Sequence, residues 1–304
     1  MAKKKNTKVR FLGGYAARKD LLGILSYPVG YDGSDVEHTR FFMVTPEKWL
    51  HRPIESDIVS AVFENGSQGK CWWLLDKRGL VYSIRPTGIT QQQIDDAGTG
   101  PGKYGYLTSI KIINDVLYAC GYSRQVYMYT ATGWKHIDQN ILLPEDAIGY
   151  SLNDIAGHGD VLCAVGNEGE ITIRTNETWA LLNSPTSEHL YALCTDASGN
   201  FYAAGANGTV VKGNAGGFEV LCSGDIKDAL WDIEYFQNEI VVSATAGLFV
   251  LQDGKLIPFN KPIAPSHTGN KLTVVEDTLI SIGSHQIFSL EQAVWKEVIC
   301  PDNV

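Results

Sequence analysis

The sequence contains no stretch of about 18 consecutive apolar residues, the length that a membrane-spanning helix requires. It also has no recognisable secretory signal, because the basic N-terminus MAKKKNTKVR is not followed by an apolar segment. Charged residues make up only 19% of the chain and hydrophobic residues 44%, a composition that excludes intrinsic disorder. We therefore expect a folded protein with no membrane partner.

The sequence also lacks a Cys-x-x-Cys pair, and no histidine lies at zinc-finger spacing from two cysteines. Its six cysteines lie mostly inside apolar segments such as YACG and LCAVG. Free, buried thiols are typical of proteins in a reducing compartment. We therefore expect a cytoplasmic protein with no metal site and no cofactor.

Acidic residues outnumber basic ones, and the formal net charge is -9. We predict that residues 1–7 form a basic N-terminal arm and that residues 8–304 form the folded domain, which is then more acidic than the whole chain. An acidic surface repels the phosphates of nucleic acids. The charge therefore argues against a nucleic-acid partner and favours a basic protein partner.

Helical periodicity is nearly absent, and a different repeat dominates the sequence. An apolar strand, a short hairpin, a second apolar strand and an aromatic residue recur, most clearly in VLYACGYSRQVYMYTATGW, VLCAVGNEGEITIRTNETW and NFYAAGANGTVVKGNAGGF. The equivalent hairpin residues are separated by 45, 39, 39 and 39 positions; they are Gly121, Gly166, Gly205, Ala244 and Gly283. So regular a period indicates a chain built from one structural unit.

Each repeat begins with a further segment of the form apolar-x-[Ser/Asp/Ala]-apolar, as in LTSI at 107–110 and LWDI at 230–233. Four strands in about 40 residues form one blade of a β-propeller, in which neighbouring blades cover each other's apolar faces. The sequence predicts an all-β, single β-propeller of seven four-stranded blades, with six or eight as alternatives. The predicted blades are 8–55, 57–98, 104–142, 149–186, 187–224, 227–262 and 266–302. The hairpin glycines are expected to supply positive φ.

The fourth repeat, SLNDIAGHGDVLCAVGNEGEITIRTNETW, resembles the WD40/YVTN/BNR-like propellers and is similar to photosystem II assembly factors. The matching residues are Asp154-Ile155, Ala164-Val165-Gly166, Gly169 and Trp179. The resemblance implies the propeller fold, but such propellers serve many functions. The closing aromatics Trp134, Trp179 and Phe218 are expected to pack within the blades.

Catalytic signatures are weak. A sialidase needs several clustered arginines to bind a carboxylate, and the Arg-Ile-Pro signature of such enzymes is missing. The histidines form no His-x-His or His-x-x-x-His pair, and no Gly-x-Ser-x-Gly segment supports a serine nucleophile. We expect no catalytic residues. A propeller hydrolase or lyase acting on a sugar or lactone is the alternative.

Aromatic, amide and acidic residues of the innermost strands are predicted to surround one end of the channel and to contact a partner. They are Tyr106, Asn153, Asp154, Tyr191, Trp231, Asp232 and Glu234. Two of these predictions have a structural alternative: Asp154 and Asp232 could accept backbone N–H groups of a nearby turn. For Tyr191 and Trp231 the structural alternative is packing between blades.

An insertion in the first repeat, YPVGYDGSDVEHTR, is a second candidate contact loop. Its acidic residues are Asp32, Asp35 and Glu37. Together these features favour a non-catalytic propeller that binds a basic protein. An immunity protein that neutralises a toxin and an assembly factor are the two concrete forms of this hypothesis.

Overall fold

The computed structural model describes residues 8–31, 37–66, 69–145, 149–259, 263 and 267–304, so the predicted arm at residues 1–7 lies outside the described residues. Seven four-stranded sheets form the blades of one β-propeller, which confirms the predicted fold class and the count of seven. Every pair of neighbouring strands is antiparallel, and each sheet uses four strands that are consecutive in the chain. The helical elements of the described residues are two single turns, Asn167–Gly169 and Ala206–Gly208.

The first four blades occupy the N-terminal half of the chain. Blade 1 contains β1 (Val9–Arg18), β2 (Leu21–Pro28), β3 (Thr39–Thr45) and β4 (Lys48–Ile54). Blade 2 contains β5 (Ile58–Gly66), β6 (Gly69–Asp76), β7 (Leu80–Arg85) and β8 (Gly88–Gln93). Blade 3 contains β9 (Leu107–Ile113), β10 (Val116–Gly121), β11 (Val126–Thr130) and β12 (Gly133–His136). Blade 4 contains β13 (Leu152–His158), β14 (Val161–Gly166), β15 (Ile171–Thr175) and β16 (Thr178–Leu181).

The remaining three blades follow the same pattern, and all seven fall within the ranges that the sequence predicts. Blade 5 contains β17 (Leu190–Thr195), β18 (Phe201–Gly205), β19 (Val210–Asn214) and β20 (Gly217–Cys222). Blade 6 contains β21 (Leu230–Phe236), β22 (Glu239–Ala244), β23 (Gly247–Gln252) and β24 (Lys255–Pro258). Blade 7 contains β25 (Lys271–Val275), β26 (Thr278–Ile282), β27 (Ile287–Glu291) and β28 (Val294–Glu297).

The first strand of every blade is innermost and packs against the first strands of the two neighbouring blades. These seven strands surround a central channel, and β1 packs against β25 to close the ring. One end of the channel carries the connections between the second and third strands of the blades, including Asn167, Asn207 and Thr245. We call this end the loop face.

The ring closes through contacts between the two ends of the chain. The Phe11 N–H donates to the Ser284 carbonyl at 2.8 Å, and the Val9 N–H donates to Asn303 Oδ1 at 2.9 Å. The Arg40 guanidinium forms an ion pair with Asp302 at 2.7 Å. The segment after β28 therefore holds blade 1 against blade 7, although no sheet of the described residues combines strands from both chain ends.

The hydrophobic cores lie between adjacent blades. Between blades 4 and 5, for example, Cys163 and Val165 pack against Leu193 and Ala203, and each is at most 3% exposed. Burying one such aliphatic side chain contributes about 1.5–3 kcal/mol. The closing aromatic residue of blade 4, Trp179, has the packing role that the sequence predicts. It is 3% exposed and lies in the core between blades 3 and 4.

The hairpin glycines have two different roles, and the expectation of positive φ was wrong for the first glycine of each hairpin. Gly166 and Gly205 are extended, with φ of -158° and -163°. A Cβ on Gly205 would overlap the carbonyl oxygen of His189, so this position requires glycine because of close approach. The second glycine of each hairpin does have positive φ, 74° at Gly169 and 64° at Gly208.

Candidate functional site

The innermost strands of blades 1 to 6 each contain a β-bulge close to the loop face. In β21, Leu230 pairs with Ala244 and Asp232 pairs with Ser243, so Trp231 has no partner in the ladder. The residues that these bulges near the loop face leave without a ladder partner are Leu12, Val59, Thr108, Asn153, Tyr191 and Trp231. A bulge re-aims a side chain, and these residues lie around the channel entrance. We call them the channel rim.

Two residues of the channel rim form an exposed aromatic stack. The rings of Tyr191 and Trp231 are 5.5 Å apart between centroids and inclined by 23°, and the His189 ring also stacks on Tyr191, at 6.4 Å. The Trp231 indole N–H donates to Thr245 Oγ1 at 3.0 Å. Trp231 is nevertheless 45% exposed. A fixed and exposed indole of this kind is typical of residues that dominate protein interfaces.

The other predicted rim contacts, Asn153 and Tyr106, are half-buried. The Asn153 amide donates to Asn167 Oδ1 at 3.1 Å and to the Leu190 carbonyl at 2.8 Å. Tyr106 lies further around the loop face, beneath the Lys77 ammonium at 5.6 Å from its ring centroid. The structure therefore brings Asn153, Tyr191 and Trp231 together on the rim, with Tyr106 at its side.

Asp154 and Asp232 are buried and join neighbouring blades. The Leu193 N–H of blade 5 donates to Asp154 at 3.1 Å, and the Leu272 N–H of blade 7 donates to Asp232 at 2.7 Å. Ser109 of blade 3 also donates to Asp154, at 2.8 Å. Asp154 and Asp232 therefore accept backbone N–H groups, as the second interpretation of the sequence predicted. The N–H groups belong to the next blade, however, and not to a nearby turn.

Two lysines enter the channel and pair with the same carboxylates. Lys111 lies 3.2 Å from Asp154, and Lys271 lies 3.0 Å from Asp232. Burial alone would lower the pKa of Lys111, but the negative charges of Asp154, Asp232 and Glu234 outweigh it and raise this pKa. Lys111 is therefore charged at neutral pH.

Glu234 lies deeper in the channel and is half-buried. Among the ion pairs and hydrogen bonds of the described residues, none involves its carboxyl group. Burial, followed by the charge of Asp232, raises the pKa of Glu234 to about 8, although Lys111 and Lys271 act in the opposite direction. Among the described residues, Glu234 is therefore a carboxyl group without a hydrogen-bond or ion-pair partner, and its pKa is about 8.

The blade-1 insertion is only partly described. Asp32 and Asp35 lie outside the described residues. Glu37 is described, and its carboxylate pairs with Arg78 at 2.6 Å and faces Lys77 at 4.0 Å. Glu37 therefore links the base of the insertion to blade 2 on the loop face.

The sequence patterns did not single out four further residues of this region, which are Lys111, Lys271, Tyr15 and His189. Lys111 occupies the same position in β9 as Glu234 in β21, two residues after the blade-joining position, so aligning the repeats would have found it. Tyr15 lines the same cavity from β1. The stacking of His189 on Tyr191 depends on the bulge in β17, for which the sequence carries no separate signal.

Within the described ranges, no group of three or more His, Cys, Asp or Glu residues is arranged to hold a metal ion. The buried His267 forms one hydrogen bond with Ser281 at 2.7 Å, but its Nδ1 has no hydrogen-bond partner among the residues that the structure describes. No helix in the described part of the chain has the length and apolar character needed to cross a membrane.

These features define the chain as a seven-bladed β-propeller with an aromatic channel rim. Solved structures with the same fold include YCF48 bound to a D1 peptide, at 15% identity, a TM-score of 0.65 and 92% coverage of each chain. The WD40 β-propeller domain of Doa1 matches at 13% identity and a TM-score of 0.65, over 96% of this chain and 95% of that one. Both are similar in fold alone.

A sequence relative is more specific. The chain is 29% identical to the immune protein Tsi7 of Pseudomonas aeruginosa over 229 residues, which is 74% of each protein. No protein-family model matches the chain. The protein is thus a propeller with a homologue named as an immune protein.

Proposed function

We propose that this chain is an immunity protein that binds and neutralises a protein toxin through its loop face. The observation that carries the proposal is the similarity to Tsi7, which extends over about three quarters of both chains. The channel rim supplies a surface suited to a protein partner, because Tyr191 and Trp231 present fixed aromatic rings at its edge. The proposed partner surface consists of the channel rim, including the predicted contacts Asn153, Tyr191 and Trp231, together with Tyr106 and Glu37.

The charge of the chain supports a basic partner. The formal net charge is -9, and opposite charges on two proteins accelerate and orient their association. All six cysteines are free and buried, as suits a reducing compartment. We therefore place the interaction in the cytoplasm, where a toxin would have to be neutralised to protect the cell.

The proposal is tested by capture followed by growth protection. Proteins of the native host that bind the wild-type chain are identified and then produced in a bacterium that lacks this chain, each alone or together with the wild type or Trp231→Ala. We expect one of them to arrest growth, and co-production of the wild-type chain to restore it. The matched control is Leu181→Ala, which removes an apolar side chain that is 52% exposed on the outermost strand β16 and should protect fully.

Two outcomes would contradict the proposal. Captured proteins that leave growth unchanged would argue against a toxin partner and favour the assembly-factor form of the hypothesis. A toxin that is neutralised equally by the wild type and by Trp231→Ala would show that the channel rim is not the contact surface.

A second candidate function, a propeller hydrolase or lyase acting on a sugar or lactone, is favoured by one observation. Glu234 lines a channel cavity and its raised pKa of about 8 would suit a general acid or base. Its test is turnover of a panel of glycosides and lactones by the wild type and by Glu234→Gln. Turnover that the substitution abolishes would establish the enzyme, whereas no turnover of any member would remove this candidate.

A further inference from the structure

Two cavities meet inside the channel. The cavity on the side of the channel rim has a volume of about 200 Å³ and is lined by rim residues such as Asn153 and Tyr191, as well as by Tyr15 and Glu234. A second cavity of about 290 Å³ lies towards the opposite end and is lined by Thr195 and Tyr235, among others. Lys111 and Glu234 line both, so these two side chains lie at the junction.

The charges in the channel leave one carboxyl group without a counterion. Lys111 forms an ion pair with Asp154 at 3.2 Å, and Lys271 forms one with Asp232 at 3.0 Å. Both carboxylates also accept backbone N–H groups of the next blade, which fixes their positions. Glu234 has no such partner among the described residues, and it faces the cavity. A cation placed there would complete the pairing of the channel charges.

We propose that the channel is the receptor for a single arginine or lysine side chain of the partner protein, which passes the channel rim and pairs with Glu234. The inference rests on the proposed function, because it names the chemistry of the toxin residue that the loop face admits. It also names one carboxyl group, that of Glu234, through which the chain would attract a basic partner.

The path from the channel rim to Glu234 suits a long basic side chain. Trp231 and Glu234 are three residues apart on β21, so Glu234 lies about 10 Å below the rim. The stacked rings of Tyr191 and Trp231 stand at the entrance, where a guanidinium group is attracted to aromatic faces. The cavity volume of about 200 Å³ leaves room for one such side chain, and the two lysines that line the cavity are already paired.

The groups that face Glu234 come from several strands. They are Tyr15 of β1, Lys111 of β9, Asp154 of β13, Cys194 of β17, Asp232 of β21 and Lys271 of β25. Burial raises the pKa of Tyr15 and of Cys194, so both stay neutral near pH 7. Since the pKa of Glu234 is about 8, the arrival of a cation favours its ionised form and releases a proton.

The test uses n-butylguanidinium as the cation and uncharged n-butylurea as its neutral counterpart. Isothermal titration calorimetry at pH 7, in two buffers that differ in ionisation enthalpy, measures both affinity and proton release. We expect the wild type to bind n-butylguanidinium and to release about one proton for each cation bound. n-Butylurea should bind at least about tenfold more weakly, because it cannot form a charged hydrogen bond.

Three variants decide the role of Glu234. Glu234→Gln should weaken n-butylguanidinium binding about tenfold or more and abolish proton release. Glu234→Asp keeps the charge and should retain proton release, which distinguishes loss of the carboxylate from loss of folding. Glu239→Gln, an exposed position on β22, should bind as the wild type does.

Equal affinity for the cation and the urea, or unchanged binding by Glu234→Gln, would overturn the inference. This measurement contains no toxin, so its failure would leave the immunity proposal intact. Conversely, failure of growth protection would leave the cation site in place and remove only its proposed partner.

Discussion

The indole ring of Trp231 stacks on the phenol ring of Tyr191 across the boundary between blades 5 and 6, with centroids 5.5 Å apart. Both residues occupy bulge positions of innermost strands, so neither ring is used in the core between the two blades. The stack is held at its edge by the hydrogen bond from Trp231 to Thr245. The propeller thus presents a preorganised aromatic surface at the entrance of the channel that contains Glu234.

Removing the Trp231 ring should change stability little. Trp231→Ala loses one aromatic contact and one exposed hydrogen bond, so we expect the free energy of unfolding to fall by about 1 kcal/mol. Urea unfolding followed by circular dichroism measures this difference. A loss comparable to that of a buried tryptophan, about 3–5 kcal/mol, would show that the side chain packs between blades.

Removing a blade-joining carboxylate should be costly. Asp232→Ala leaves the Leu272 N–H and the Lys271 ammonium without their partner, and we expect a loss of about 3 kcal/mol in the free energy of unfolding. Asp232→Asn keeps an acceptor for the N–H and should lose less. Asp277→Ala, at an exposed turn, serves as the control and should change stability by less than about 0.5 kcal/mol. Equal unfolding midpoints for all three variants would contradict the blade-joining role.

Gly205 should tolerate no side chain. Its backbone is extended, so alanine meets no conformational penalty, but the added Cβ would overlap the His189 carbonyl oxygen. We expect Gly205→Ala to lower the free energy of unfolding by about 3 kcal/mol. Gly149→Ala is the matched control, because a Cβ there would meet nothing within 4 Å. Similar urea midpoints for the two variants would contradict the close approach.

The stability of the protein should depend on pH through His136. Its Nδ1 lies 2.9 Å from Asp138 and its Nε2 lies 3.1 Å from Asp96. Burial alone would lower the pKa of His136, but these two carboxylates outweigh burial and raise it. The stabilisation is therefore fully present below the unfolded pKa of about 6.5 and is lost as the pH rises through the folded pKa.

The comparison of wild type with His136→Gln isolates this effect, because Glu234 titrates in both proteins. Urea unfolding between pH 5.5 and 9 should show the wild type losing its advantage over the variant as the pH rises. His51→Gln, at an exposed position, should follow the wild type. A difference between wild type and His136→Gln that stays constant over this range would contradict the role of the two carboxylates.

Much of the fold could be predicted because the propeller repeats its chemistry. The spacing of 39 residues from Gly166 to Gly205 is the length of one blade, and the segments around Asp154 and Asp232 mark innermost strands. Ring closure could not be predicted, because it depends on contacts such as Val9 with Asn303, which are 294 residues apart and follow no repeat.

The candidate site was only partly predictable for the same reason. Trp231 and Tyr191 share a repeat position, so their placement on one rim follows from the period. That they project from the ladder depends on how each innermost strand pairs with its neighbour, which the sequence of one strand does not specify. The burial of Asp154 likewise depends on the N–H of Leu193, one blade further along the chain.

The most direct test of the account is the affinity of the purified toxin, once growth protection has identified it, for the wild type and for Trp231→Ala. A central aromatic residue of an interface contributes about 2 kcal/mol or more, so the dissociation constant should rise by about 30-fold or more. Leu181→Ala should bind as the wild type does. If Trp231→Ala and the wild type bind the toxin with equal affinity, the channel rim is not the surface through which this propeller acts.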